Sequence, residues 1–162
     1  MAQVDAFLKL DGIKGESQDE KHKSEIDILS WSWTLNNSGS AHYGAGMGAG
    51  KVQVGDIHIT KRVDTSSAIL LKCCSTGEHI KSGTLVVRKA GGAKALEYFK
   101  VDLDRILVSS IRPSSDPSSP DLMEDVALNF GSFKVTYTPQ DDKGAGGATV
   151  DFAYDITKNK AV

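Results

Sequence analysis

A glycine-rich stretch that ends in lysine, residues 44–51, is the part of the sequence that most suggests chemistry, since such loops bind phosphate through backbone N–H groups. The spacing of a phosphate-binding loop is not met: Ala45 stands where its first glycine belongs, and Val52 replaces the hydroxyl that binds metal. The stretch matches the looser G-x-G-x-x-A dinucleotide pattern, but an apolar strand follows it, not the helix whose N-terminus holds the pyrophosphate. We therefore interpret it as a glycine-rich loop and expect no cofactor there.

Histidines and nucleophiles give no further chemical motif. The histidines stand at four well-separated positions, His22, His42, His58 and His79, without a cysteine or carboxylate at the spacing of a metal site. The G-x-S-x-G sequence of serine hydrolases does not occur. The adjacent Cys73 and Cys74 lie in an apolar stretch and are expected to be free thiols in the core. The sequence thus predicts neither a metal centre nor catalysis, and we expect a protein that is not an enzyme.

The most informative segment is residues 25–35, where a strand with two chemically different sides is predicted. Bulky apolar side chains occupy the odd positions, Leu29, Trp31, Trp33 and Leu35. Short hydroxyls occupy the even positions, Ser30, Ser32 and Thr34. Because successive side chains of a strand point to opposite faces, one side is expected to pack and the other to be smooth and polar. Two interpretations remain open: a half-buried strand that faces water, or a hydroxyl-lined surface that contacts a cargo weakly.

The elements that position this segment are predicted to be mostly strands. Period-two alternation begins at residues 4–10 and recurs in seven further runs, residues 25–35, 51–60, 84–90, 95–103, 105–111, 122–138 and 149–156. Many short strands at short spacing favour a sandwich or a closed barrel. The alternation changes phase at Gly55 and at Gly131, and a β-bulge at each glycine would explain the change.

One helix and three loops complete the predicted elements. Residues 64–67 supply N-cap candidates, residues 68–74 are almost entirely apolar, and Gly77 occupies a C′ position. This pattern predicts a short helix that is apolar nearly all round and covers one end or flank of the barrel. The loops, residues 36–50, 112–121 and 141–148, are rich in Gly, Pro, Ser or Asp. The second and third are expected to be exposed connections.

Length and charge restrict the class of protein. The chain has 162 residues, with 19 Lys and Arg against 21 Asp and Glu, so its formal net charge of −2 disfavours a nucleic-acid-binding module. Residues 1–162 are expected to form one domain. The N-terminal residues lack the apolar core of a signal peptide, and the longest aliphatic run, residues 68–71, is far shorter than the ~18 residues of a membrane span. We expect synthesis and folding in the cytoplasm, with any export by a route that needs no classical signal.

Four motifs, taken in order, closely resemble the haemolysin-coregulated protein (Hcp) family of bacterial type VI secretion. They are residues 10–17 (LDGIKGES), residues 25–33 (EIDILSWSW), the glycine-rich loop that runs into Lys51 and Val52, and residues 88–92 (RKAGG). The resemblance spans nearly the whole chain. It implies an all-β fold, a β-barrel or two packed antiparallel sheets with one short flanking α-helix and a long extended loop, which agrees with the predicted elements.

The resemblance also implies a function. Members of the family assemble as hexameric rings that stack into a tube, which a contractile sheath expels behind a spike protein, and the bore of the tube carries and shelters small effector proteins. Ser32 would then face the bore and contact effectors, with Ser30 and Thr34 beside it. Residues 38–50 resemble the family's extended loop. Its contacts to neighbouring subunits and rings would involve Ser38, Ser40, His42, Tyr43, Met47 and Lys51.

Elementary geometry is consistent with a ring of six. A chain of this length has a radius of gyration of roughly 15 Å and packs as a globe about 40 Å across, so six in a closed ring leave a hole about one globe wide. Two other functions remain open. One is a phage-like tail-tube or baseplate component without a cargo. The other is a barrel that binds a small molecule inside one subunit.

Overall fold

The structure, a computed structural model, describes residues 3–39, 49–90, 95–141 and 146–162. Within these ranges the chain forms twelve β-strands and one α-helix. The strands are β1 (Gln3–Leu10), β2 (Ile26–Ile28), β3 (Ser30–Ser32), β4 (Leu35–Gly39), β5 (Ala49–Val54), β6 (Ile57–Arg62), β7 (Ile80–Ala90), β8 (Leu96–Ser115), β9 (Leu122–Asn129), β10 (Ser132–Tyr137), β11 (Val150–Asp155) and β12 (Lys160–Ala161), and the helix is α1 (Ser67–Thr76).

Two antiparallel sheets pack against each other. Sheet A has the strand order β12-β11-β10-β8-β7-β1-β2, and sheet B has the order β3-β6-β9-β8. Among the residues described, strands β4 and β5 pair with each other alone and form a separate two-stranded ribbon. The predicted all-β fold with two packed antiparallel sheets and one short helix is therefore confirmed, although the sheets do not close into a complete barrel.

Strand β8 belongs to both sheets. Its first half pairs with β7 and β10 in sheet A, and its second half pairs with β9 in sheet B. The change of sheet falls at Arg105, whose φ of 55° is one that residues other than glycine seldom adopt. The prediction of two strands at 95–103 and 105–111 was wrong, because a single strand of 20 residues bends at this point.

The end of β8 also corrects the loop predicted at residues 112–121. Its first four residues continue the strand, and Pro113 pairs with Glu124 of β9. Proline is tolerated on edge strands such as this half of β8, because alternate N–H groups of an edge strand point away from the ladder.

The core fills the space between the sheets and continues under the helix. Inward side chains of both sheets, among them Leu8, Leu85, Ile59 and Leu128, are buried. The helix contributes Leu70 and Cys73, and burial raises the pKa of the Cys73 thiol. Both cysteines are free, but only Cys73 is fully buried, so the prediction of two core cysteines holds for one of them.

The helix begins and ends where the sequence predicts. Ser66 is its N-cap residue, and Gly77 at φ 72° donates its N–H to the Cys73 carbonyl oxygen. The side chain of Ser66 does not cap the helix. Ile69 and Leu71 are exposed, so α1 buries one face only, although its apolar side chains point nearly all round.

The two glycines predicted to mark bulges mark changes of sheet instead. Gly55 separates the ribbon strand β5 from β6 of sheet B, and its N–H donates to the Thr34 carbonyl oxygen at 2.8 Å. Gly131 separates β9 of sheet B from β10 of sheet A. A Cβ at position 131 would lie 2.8 Å from Arg105 Nε, so glycine allows the two sheet-changing points to pack together.

Charged pairs that are buried or partly buried connect layers of the fold at two places. On the inner side of sheet B, Lys61 forms ion pairs with Glu124 of β9 and, at 3.0 Å, with Asp64 before the helix. On the outer side of sheet A, Arg88 lies 2.5 Å from Asp19, in the segment that covers β1 and β7. The hydrogen bond from Arg88 lowers the pKa of Asp19 to about 2.

Candidate functional site

The segment that contains Ser30 and Ser32 is not one strand. Its first part, β2, pairs with β1 in sheet A, while β3 pairs with β6 in sheet B. The change occurs at Leu29, whose N–H donates to the Thr60 carbonyl oxygen and whose side chain is 46% exposed. Because the chain changes sheet at Leu29, the alternation of buried and exposed side chains changes phase there. Leu29 therefore does not lie on the packed side with the tryptophans.

The packed side of the segment consists of the two tryptophans. The Trp31 ring stacks on Phe99 at 5.4 Å between centroids, and Trp33 meets Phe133 edge to face at 4.8 Å. Trp33 Nε1 also donates to the Gly55 carbonyl oxygen at 3.0 Å. Leu35, at the start of the ribbon, is 41% exposed. The prediction of four packed apolar residues is thus correct for the tryptophans and wrong for the leucines.

The predicted hydroxyl side is exposed and extends across the whole of sheet B. The strand register aligns two neighbouring cross-strand rows, Ser30–Thr60–Asp125–Arg112 and Ser32–His58–Ala127–Ser110. Between them, a row that contains Trp31 and Ile59 packs against the core. We call the outward side of the two rows the polar face.

The polar face is slightly concave. It encloses a depression of about 310 Å³, lined by Ser30, Trp31, Ser32, His58, Ile59, Thr60, Ser110, Arg112 and Asp125. Two of the three predicted hydroxyl residues therefore share one site. Thr34 is exposed but does not line the depression, because it lies past the end of β3 beside Gly55.

One anion and one cation are held together on this face. Asp125 Oδ1 accepts a hydrogen bond from Thr60 Oγ1 at 2.7 Å, and Asp125 Oδ2 accepts one from Arg112 Nη2 at 2.9 Å. These two bonds hold the pKa of Asp125 below its ordinary value, and the bond from Thr60 has the larger effect. The remaining polar groups of the depression are hydroxyls and one imidazole, so the site is suited to hydrogen bonding.

Sequence reasoning missed five side chains of this site. They are His58, Thr60, Ser110, Arg112 and Asp125. The alternation in residues 57–62 could have placed His58 and Thr60 opposite the apolar isoleucines. Arg112 lay in the predicted loop, and no local signal gives the register that aligns it with Ser30.

The predicted contact loop is described only at its two ends. Ser38 and Lys51 lie in the ribbon, on β4 and β5 respectively, and both are exposed. Asn37 Nδ2 donates to the Gly50 carbonyl oxygen at 2.7 Å and links the two strands. The other four predicted contact residues, Ser40, His42, Tyr43 and Met47, lie outside the described residues.

Other features of the described chain do not form a competing site. A larger cavity of about 460 Å³, lined in part by His79, Arg105 and Phe130, lies away from the polar face and is mostly apolar. Across the described ranges, no three His, Cys, Asp or Glu side chains gather as metal ligands. In the same part of the chain, no helix has the length and apolar character needed to cross a bilayer.

Comparisons with known proteins agree with one another. Residues 7–137 match the family model described as type VI secretion system effector, Hcp. The chain is 43% identical over 157 residues to protein Hcp1 of Pseudomonas aeruginosa, covering 96% of this chain and 97% of that protein.

Solved structures show the same likeness along the full length. The crystal structure of Hcp1 from Salmonella typhimurium superposes with a TM-score of 0.81 at 37% identity, covering 100% of both chains. A solved type six secretion system protein superposes with a TM-score of 0.93 at 26% identity, covering 99% of this chain and 100% of that one.

Proposed function

The chain belongs to the Hcp family of type VI secretion system proteins, and on that premise we propose that it is a structural subunit of the secretion tube. In this proposal six copies close into a ring and rings stack into the expelled tube. The bore carries and shelters effector proteins. The contribution of this chain is structural, without a catalytic step.

The observation that carries the proposal is the polar face of sheet B. A bore that releases its cargo needs groups that bind weakly and exclude strong apolar adhesion. Short hydroxyls, including Ser30 and Ser32, meet that need, and no large exposed apolar side chain lies in the two rows that form the face.

The edges of sheet B support sideways assembly. Among the described residues, β3 pairs on one side only, with β6, and the second half of β8 pairs on one side only, with β9. Each edge therefore presents unpaired backbone groups, which favour pairing with another chain. Because the two edges differ, contact between them is head to tail, which is the kind of interface that closes into rings.

We assign the cargo contact to Ser32, with Ser30 beside it in the depression. Thr34 is proposed as a contact at its rim. The ribbon, including Ser38 and Lys51, forms a separate two-stranded element. It is proposed to touch neighbouring subunits or the next ring, together with residues 40–48. The other proposed partners are the contractile sheath around the tube and the spike protein at its tip. Assembly takes place in the cytoplasm, and export follows with the tube.

Native mass spectrometry at micromolar concentration tests the ring, and negative-stain images test its hollow shape. We expect a six-subunit species and annular particles with a central hole. A monomer or dimer without any six-subunit species would contradict the proposal.

Ser32→Gln tests the cargo contact. The larger amide fills part of the depression, so we expect an intact ring that retains at least some effectors several-fold less well in co-purification. Ser75→Gln on the exposed side of α1 is the matched control and should retain effectors normally. If Ser32→Gln retains every effector as well as the unaltered chain does, Ser32 is not part of the cargo site.

A further inference from the structure

We propose that Arg112 gives the bore a preference for cargo proteins that present carboxylates. This inference rests on the proposed function, because it names the chemical class of cargo that the polar face accepts. It concerns a side chain outside the hydroxyl segment, at the opposite edge of sheet B from Ser30 and Ser32.

The one carboxylate of the polar face, Asp125, already has hydrogen-bond partners within the chain. Both carboxylate oxygens of Asp125 accept hydrogen bonds within the chain, one from Thr60 and one from Arg112. The ionised form is favoured, as the lowered pKa of Asp125 indicates. Asp125 therefore acts as a tether for the guanidinium and offers little to a cationic cargo.

The guanidinium of Arg112, in contrast, remains accessible to a partner. The side chain of Arg112 is 77% exposed, and its only hydrogen bond or ion pair in the described part of the chain is that to Asp125. A guanidinium carries five N–H donors in a planar fork that matches a carboxylate. In the described part of the chain only Nη2 bonds to Asp125, so the other donors can bind a carboxylate of a partner.

The rest of the face adds donors and no further fixed charge. Within the two rows, Arg112 and Asp125 are the only residues with a permanent charge. The serine hydroxyls can donate to a partner, whereas the Thr60 hydroxyl already donates to Asp125. Arg62, farther along β6, lies outside the two rows, where it is exposed and 3.6 Å from Asp121. In a closed ring, six copies of Arg112 would surround one bore. The low-dielectric protein walls of such a bore would focus the electrostatic field of the six guanidinium groups.

Acidic protein surfaces fit this arrangement better than nucleic acid does. Nucleic acid needs many cations for its phosphates, whereas the chain has a formal charge of −2 and the polar face offers one exposed guanidinium per subunit. A few carboxylates on a folded cargo match a few guanidinia, and the serine hydroxyls can complete the contact.

The test uses the assembled ring and short rhodamine-labelled peptides, alike except that one carries glutamates where the other carries lysines. Fluorescence anisotropy at low salt should show tighter binding of the glutamate peptide. Arg112→Gln should reduce that preference about two- to fivefold, the range for losing an ion pair at an exposed site. Lys134→Gln removes the same charge from an exposed position on sheet A and should leave the preference unchanged.

The outcomes separate this inference from the proposed function on which it rests. Equal binding of both peptides by an intact ring, or an unchanged preference in Arg112→Gln, overturns the inference while leaving the tube proposal standing. Tighter binding of an oligothymidylate than of the glutamate peptide also overturns it, because the face would then bind phosphate polymers. Absence of a six-subunit species in native mass spectra of the unaltered chain contradicts the proposed function itself.

Discussion

Two polar pairs lie side by side on strands β6 and β9 and face opposite ways. Lys61 and Glu124 point between the sheets, where both side chains are fully buried. Thr60 and Asp125, one position along each strand, point to the polar face. The two pairs share strands and register, so the difference between them comes from what each side of the sheet meets.

The inner pair is closed by groups of the same chain. Ser67 at the start of α1 donates to Glu124 Oε1 at 2.7 Å, and Asp64 adds a second carboxylate near Lys61. The outer pair instead leaves its Arg112 partner largely exposed. Buried charges that are paired within the chain fasten the fold, whereas polar groups left exposed on the surface are available to a partner.

The largest expected effect is at the inner pair. Lys61→Met leaves the carboxylates of Glu124 and Asp64 without their cation, so we expect a loss of about 3–5 kcal/mol in the free energy of unfolding. Urea denaturation monitored by tryptophan fluorescence measures it.

A double variant separates charge from packing at this place. Lys61→Met together with Glu124→Leu removes both buried charges and should recover most of the stability, since apolar residues of similar size often replace a buried pair without loss. If the single variant is as stable as the unaltered chain, the inner pair does not fasten the fold.

An intermediate effect is expected where the pair is only partly buried, at Arg88 and Asp19. The pKa of Asp19 is about 2, below its ordinary value of 3.8, so its stabilising charge is complete above about pH 4 and is lost as pH falls toward 2. Asp19→Asn should therefore be less stable than the unaltered chain at pH 7, with the difference shrinking toward pH 2. Urea midpoints at pH 7, 4 and 2 give this comparison, and a constant difference would contradict it.

The smallest effect on stability is expected on the polar face. Thr60→Val removes the hydrogen bond to Asp125 Oδ1 at a partly exposed position, so we expect the free energy of unfolding to fall by less than about 1.5 kcal/mol. The pKa of Asp125 should rise, because that bond is the main cause of its lowered value. Carboxyl NMR titration measures the shift. If Thr60→Val lost as much stability as Lys61→Met, the inner and outer sides of sheet B would not differ in their contribution to the stability of the fold.

Alternation in the sequence predicts which side of a strand is buried, but not which sheet the strand joins. It correctly placed Ser30 and Ser32 on an exposed side and the tryptophans on a packed side. It missed the changes of sheet at Leu29 and Arg105, because an extended backbone has the same period on either side of such a point.

The sequence pattern also could not predict the buried charge of Lys61 or the cross-strand register of Arg112. Lys61 occupies an inward position where alternation predicts an apolar residue, and its ion pairs with Glu124 and Asp64 make its burial possible. Arg112 enters the site through a strand that continues into a segment rich in proline and serine. Both residues depend on partners more than ten positions away along the chain.

The twenty-residue strand that serves both sheets has a mechanical consequence for the proposed tube. A push applied to one layer of the subunit would pass to the other layer along a continuous covalent backbone, without relying on side-chain friction at the interface between layers. The bend at Arg105, braced by Gly131 and by the following strand, is then the place where shear between the layers would concentrate. In the proposed tube, such subunits would resist separation of sheet A from sheet B while the tube is expelled.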